Sequence, residues 1–303
     1  MTDSRRVLIV GCGYVGLALA RRLLASGHQV FGLRRSTGDL PELAAAGVAP
    51  LAGDVTRPET LASLPGPFDW VINAVSSSRG GPAAYASVYR DGMRHLLEWL
   101  ARTPPAAFAY TSSTSVYGQT TGEWVDETAP AEPSTDTGRV LVEVEQLVRD
   151  ATLTGLVPGC IVRVAGIYGP GRGHLFQQFL RGEARQQGDG SRWINMIHRD
   201  DVAGALHAVL EHGRPGDTYN AVDDQPVRQR EFLGWLASEL GRPMAPTADP
   251  AEAGPRKRGI TDKRVSNRKL RATTGWAPHF PTFREGYADA IAAARARGNR
   301  SVG

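Results

Sequence analysis

Apolar residues fall in short runs separated by stretches of helical period. Val7–Val10 in "RRVLIVGCGYVG" forms the first run, followed by a glycine turn and a helix predicted over Leu17–Leu24, ending near Gly27. "HQVFGLRR" supplies a second short strand. A helix over Leu40–Ala46, a strand over Val48–Leu51, a short helix near Thr60 and the strand "FDWVINAV" continue the alternation. "YASVYRDGMRHLLEWLAR" then reads as a helix and "AAFAYTSS" as a strand. In "PSTDTGRVLVEVEQLV", Val140, Leu141, Val144, Leu147 and Val148 recur at helical spacing, with Ser134, Asp136 or Thr137 available to cap the first turn.

Past residue 150 the pattern repeats once, with "GCIVRVAGIYG" as a strand, and then loosens. "GPGRGH" and "GDGSRW" are turn-rich. "IHRDDVAGALHAVLEHG" and "REFLGWLASELG" read as helices, "TYNAVDD" as a strand, and "PMAPTADPAEAGPRKRG" as a long irregular connection before the last helix, "FREGYADAIAAARARG". Regular strand–helix alternation predicts an α/β fold with a doubly wound parallel sheet of Rossmann type. Residues 1–165 plus about 193–222 are expected to form it, and 166–192 with 223–303 a smaller C-terminal substrate lobe.

The 303 residues are 41% hydrophobic and 22% charged, the composition of a globular chain rather than a disordered or fibrous one. Net charge is +4, but no basic stripe interleaved with aromatics points to nucleic acid. Only Lys257, Lys263 and Lys269 among the 35 basic residues are lysines. Cys12 and Cys160 show neither CxxC nor Cys/His spacing, so no metal site and no disulfide framework is expected. The first apolar run is broken by glycines, which disfavours a membrane span and a signal peptide, and a cytoplasmic location is expected.

Gly11, Gly13 and Gly16 form a GxGxxG between a strand and a helix. The first glycine permits the tight turn, the second lets the backbone approach a pyrophosphate, and the third lets the helix pack on its strand. Tyr14 and Val15 open that helix, whose free N–H groups would face the anion. Arg34 and Arg35, where the second strand ends, suit the 2′-phosphate of NADP, whereas an acidic residue there would have suited NAD. NADP is therefore the expected cofactor, with NAD the alternative. Asp54 and Val55 in "AGDVT" would sit beside the adenine.

The motifs "GCGYVG", "GDVT", "INAV", "YTSSTSVYG", "VRVAGIYGPGR", "IHRDDVAGAL", "YNAVDD" and "GWAPHFPTFREG" occur in this order almost end to end. In this the chain resembles an atypical member of the extended short-chain dehydrogenase/reductase family, which includes nucleotide-sugar epimerases, dehydratases and reductases. The resemblance adds Ala74, in "INAV", to the cofactor residues. It implies a Ser or Thr, a Tyr and a Lys as reaction machinery: the Tyr exchanges a proton with a substrate hydroxyl or carbonyl, and the Lys lowers its pKa. Ser113 matches the first. The helix that should carry the pair keeps Pro133, Gly138 and Glu145 of the family frame but has Thr137 and Leu141 at the Tyr and Lys positions.

No lysine precedes residue 257, so Arg139 and Arg163 are the nearby cations, and neither relays protons readily. Tyr110, Tyr117 and Tyr168 are the phenols close in sequence to the cleft. Ser113, Tyr117 and Tyr168 are the catalytic candidates, with a structural role for both tyrosines as the competing reading. Tyr89 stands where the family often has Asn, and Thr114 and Ser115 replace the Asp-Glu pair of the 4,6-dehydratases, which disfavours that reaction. "RKRGITDKRVSNRKLR" carries Arg256, Lys257, Arg258, Lys263, Arg264, Arg268, Lys269 and Arg271, a clamp for a diphosphate or a solvated loop. His198 and Asp201 match a segment whose acidic residue supports the fold.

The resemblance implies an oxidoreductase or epimerase acting on a small, nucleotide-sugar-like substrate, without nucleic acid or membrane partners and with a homodimer as an open expectation. Loss of both Tyr and Lys motivates the alternative, a protein that binds NADP(H) as a sensor or regulator without turnover.

Overall fold

A computed structural model describes residues 4–76, 81–249 and 261–300. Seven parallel strands form the central sheet: β1 Arg6–Val10, β2 Gln29–Arg34, β3 Ala49–Ala52, β4 Trp70–Asn73, β5 Ala107–Ser113, β7 Gly159–Val164 and β11 Thr218–Ala221. Their spatial order is β3-β2-β1-β4-β5-β7-β11. The order reverses between β1 and β4, so their C-terminal ends open a crevice where dinucleotides bind in doubly wound folds. Val7, Leu8, Ile9 and Val10 are wholly buried because helices cover both faces of the sheet.

On one face lie α1 Tyr14–Ala25, α2 Leu40–Ala45 and α8 Arg199–His212, with α1 packed along α8. The other face carries α3 Pro58–Ala62, α5 Gly92–Leu100 and α6 Asp136–Leu153. Ahead of α5 come α4 Pro82–Ala86 and a π-turn over Ser87–Asp91, so the single helix expected there is interrupted. The first turn of α6 is capped by Thr135, whose hydroxyl accepts from Gly138 N at 3.2 Å, rather than by any of the three residues proposed from sequence. Thr135 has the extended backbone of a cap residue and stands three residues before the N–H that it accepts from.

Short strand pairs build the rest. β6 Glu123–Val125 pairs with β13 Lys263–Val265, β8 Gly166–Tyr168 with β10 Met196–His198, and β9 Trp193–Ile194 with β12 Val227–Arg228. The expected strand "GCIVRVAGIYG" is therefore two. Ala165 N still donates to Ala221 O in the main sheet, whereas Gly166 N donates to Asn195 O, and the chain changes sheets between them. The helices α7 His174–Leu180, α9 Gln229–Leu240 and α11 Phe283–Arg300 gather round Phe176, Phe179, Phe232, Phe283 and Tyr287 as a separate apolar core. Helix α10 Arg268–Thr274 joins this C-terminal lobe to β11 and α8.

Candidate active site

At the crevice, Gly11 has φ +78°, and a Cβ there would stand 2.7 Å from the backbone of Val75. A Cβ on Gly16 would meet Ile9 Cγ2 at 3.0 Å, where α1 crosses β1. Around Gly13 the nearest atom to such a Cβ is Gly11 O at 3.9 Å, so this position faces open space. No side chain caps the N-terminus of α1. Its first N–H groups are therefore available to an anion, and the residues present fit the pyrophosphate of a dinucleotide. Ala74 lies against the turn, its N–H bonded to Val10 O at 2.9 Å.

The end of β2 borders the same crevice. Arg34 Nε donates to Cys12 O at 2.6 Å, and its Nη1 pairs with Glu42 at 2.8 Å, which fixes the guanidinium against the glycine turn. Arg35 is exposed beside it. Asp54 accepts from the N–H and hydroxyl of Thr56 and so shapes its own turn. Val55 points its side chain into the core beneath Gly92, and its carbonyl oxygen lies 2.8 Å from His95 Nδ1. The ring of Tyr14 carries Arg172 at 4.3 Å and Arg199 at 5.1 Å, and its hydroxyl donates to Pro170 O. Sequence reasoning missed both arginines, because no spacing rule links residues 14 and 172.

Ser113 ends β5, half-buried, with its Oγ accepting from Ser115 N at 3.2 Å. Behind it Ser112 Oγ donates to Glu145 Oε1 at 2.7 Å. Glu145 is fully buried and also takes Arg163 Nε and Nη2 at 2.9 and 2.6 Å and Arg149 Nη2 at 2.9 Å. Burial works against the Arg163 charge, but these bonds outweigh it and hold the guanidinium protonated. Arg163 is thus committed to α6. Arg139 is exposed and paired with Asp136, and Leu141 lies in the core.

The two tyrosine candidates sit in the interior. Tyr117 is wholly buried, its hydroxyl donates to Asn220 Oδ1 at 2.8 Å, and Arg163 stands over its ring at 4.8 Å. Burial raises its pKa, only partly offset by Arg163 and Asn220. Tyr168 is stacked on Tyr287 and donates to Thr282 O at 3.4 Å, and burial drives its pKa far up. Neither phenol reaches the crevice, and this geometry favours the structural role for both. Tyr110 is equally buried.

A lysine does reach this region, from the far end of the chain. Lys263 Nζ is buried and donates to Tyr117 O and Thr261 Oγ1, both at 2.9 Å. Its strand β13 lies beside β6, directly after the Ser113–Tyr117 turn, a non-local pairing that no local pattern announces. Burial, reinforced by Arg192, lowers its pKa to about 8. Other members of the basic segment are spent internally: Lys269 on Asp217, Arg271 on Asp224 and Arg264 on Gly122 O. Arg256, Lys257 and Arg258 lie outside the described residues.

His198 caps α8 by accepting from Asp200 N, and the Asp201 carboxylate accepts from the N–H groups of His279 and Phe280. Both therefore hold the fold. A hollow of about 290 Å³ beside them is lined by Arg22, Gly204 and Trp276 among others. Among the described residues no His, Cys, Asp and Glu cluster could hold a metal, and no helix is long and apolar enough to cross a membrane.

Residues 7–221 match the model of the NAD dependent epimerase/dehydratase family. The chain belongs to that family. It is 30% identical over 245 residues to protein YeeZ of Escherichia coli strain K12, covering 78% of this chain and 84% of YeeZ. It is also 30% identical over 306 residues to the 3-diazoavenalumate denitrifying reductase of a Streptomyces species, covering 93% and 98%. A solved putative NAD-dependent epimerase/dehydratase from Methylobacillus flagellatus superposes with a TM-score of 0.75 at 35% identity, covering 97% of this chain and 100% of that one. As a family member the chain is an NAD(P)-binding enzyme of the oxidoreductase/epimerase class.

Proposed function

We propose that the chain is an NADP(H)-dependent oxidoreductase or epimerase acting on a hydroxyl or carbonyl of a small, nucleotide-sugar-like substrate. The observation that carries this reading is the open cradle at Gly13 with Arg34 and Arg35 beside it, on the sheet end that also presents Ser113. Bound there, the nicotinamide supplies hydride chemistry. The chain's own groups divide the remaining work. Gly11, Gly13, Tyr14, Val15 and Gly16 receive the pyrophosphate, Arg34 and Arg35 the 2′-phosphate, Asp54, Val55 and Ala74 the adenosine side, and Ser113 orients the substrate oxygen. Residues 1–165 with 193–222 serve as the dinucleotide part, and 166–192 with 223–303 close over the substrate.

Thr137 and Leu141 favour a second reading, a protein that holds NADP(H) without turnover. The relative named a reductase, matched over nearly the whole chain, supports the enzyme instead. Single-turnover oxidation of bound NADPH against a panel of nucleotide sugars and simpler ketones separates the two. Hydride transfer to any member, reduced at least about a hundredfold in Ser113→Ala, is the expected result. A bound cofactor that no member oxidises supports the binding-only reading.

A further inference from the structure

The turn-rich segment "GPGRGH" docks on the glycine turn. Residues 169–173 follow β8, beyond the C-terminal end of β7, and α1 starts at that same end of the parallel sheet. The Tyr14 hydroxyl donates to Pro170 O at 3.1 Å, and a Cβ on Gly169 would stand 3.0 Å from that hydroxyl. The other end of the segment is seated on the C-terminal lobe, where a Cβ on Gly173 would collide with the Tyr287 hydroxyl. Arg172 lies between these two anchors in the chain, its guanidinium carbon 4.3 Å from the centre of the Tyr14 ring.

Tyr14 is the first residue of α1, so its N–H is one of the free groups at the end of the helix that receives the dinucleotide. The Cα–Cβ bond of a helical residue leans towards the N-terminus, which carries the Tyr14 ring to that end. Helix α8 runs parallel to α1: Arg199 stands 5.1 Å from the same ring, and eight residues further along each helix Arg22 Nε donates to His207 Nδ1. Arg199 is mostly covered and paired with Asp200 at 2.8 Å. Arg172 is exposed, and among the described residues no carboxylate lies within ion-pair distance of it. An arginine laid on an aromatic face keeps its N–H fork for a ligand, and that fork matches two oxygens of a phosphate. An arginine without an acidic partner thus stands on the residue that opens the anion cradle.

Resting on the dinucleotide reading above, we infer that Arg172 is a further cofactor-binding residue, whose guanidinium, carried on the Tyr14 ring, clamps the diphosphate of the bound dinucleotide. The N–H groups of α1 hold that diphosphate from the glycine turn, and Arg172 holds it from the segment between β8 and α7. Tyr14 is the platform, and Arg199 supports the platform from α8. The contact is to phosphate oxygens common to both dinucleotides, so it adds affinity without choosing between NADPH and NADH. It also ties the cofactor to the C-terminal lobe, because the segment that carries Arg172 is seated on Tyr287.

The test titrates the full chain and its variants with NADPH, with NADH, and with adenosine 2′-monophosphate, which lacks the diphosphate. Arg172→Met should weaken both dinucleotides by at least about tenfold, the loss of one charge-assisted bond, and leave the 2′-monophosphate within about twofold. Its unfolding midpoint should stay that of the parent chain. Arg172→Lys keeps the charge without the fork and should recover part of the loss. Tyr14→Leu removes the platform and should cost a similar factor, and the Tyr14→Leu/Arg172→Met pair should bind little more weakly than either single variant, since all three lose one contact. Dinucleotide affinity unchanged in Arg172→Met overturns the inference, as does an equal loss for the 2′-monophosphate. A loss seen only for UDP-glucose would assign Arg172 to a substrate phosphate and overturns it as well. Each of these results leaves the cofactor reading intact. Failure of the parent chain to bind either dinucleotide would remove the cofactor reading, and this inference with it.

Discussion

Arg163 and Glu145 form a two-pronged ion pair beneath the candidate site, with Nε and Nη2 of the arginine at 2.9 and 2.6 Å from the carboxylate. The pair joins β7 to α6 and lies under the ring of Tyr117. It explains why Arg163 is no substitute for the family lysine: its charge is already balanced, out of reach of the crevice. Cutting one partner would strand the other as a buried charge. Glu145→Gln or Arg163→Met should therefore each cost about 3 to 5 kcal/mol in urea unfolding. A loss below about 1 kcal/mol in both would show that the pair does not anchor α6.

The three glycines of the turn should fail in different ways. Gly11→Ala forces a Cβ to 2.7 Å from the Val75 backbone and onto a left-handed φ, so the folded chain should be destabilised by at least about 2 kcal/mol. Gly13→Val fills open space, and should leave the unfolding midpoint almost unchanged while abolishing dinucleotide binding. Calorimetric unfolding and NADPH titration of both variants check this. Equal destabilisation by the two would mean that the cradle is closed.

Much of this architecture is legible in sequence because it is local. The run Val7–Val10, the glycine spacing and the helical period of α6 each reflect one element's own geometry. What could not be read depends on distant partners. The sheet change at Ala165 is decided by Ala221 and Asn195. Whether Tyr117 and Tyr168 face the cleft or the core is decided by Asn220 and Tyr287. The cap of α6 falls on Thr135, among but not one of the candidates Ser134, Asp136 and Thr137, since serine, threonine and aspartate crowd positions 134–137.

Lys263 makes stability depend on pH in an alkaline window. Burial lowers its pKa from 10.5 to about 8, so between those values the unfolded chain binds more protons than the folded one. Below about pH 8 both states are protonated and the burial cost is fully present. As pH rises from 8 towards 10.5 the folded lysine is neutral, and this contribution should improve by up to about 3 kcal/mol. Lys263→Met should remove that rise. Denaturant unfolding of both proteins across pH 7 to about 11 is the check, and matching pH slopes would contradict it.

NADPH and NADH titrated into the full chain, with the Arg34→Ala/Arg35→Ala double variant alongside, test the central claim most directly. The account predicts NADPH binding at least about tenfold tighter than NADH, since a charge-assisted bond to the 2′-phosphate contributes about 1.5 to 3 kcal/mol, and predicts loss of that preference in the variant. Equal affinity for the two dinucleotides would contradict the NADP assignment, and binding of neither would contradict the account as a whole.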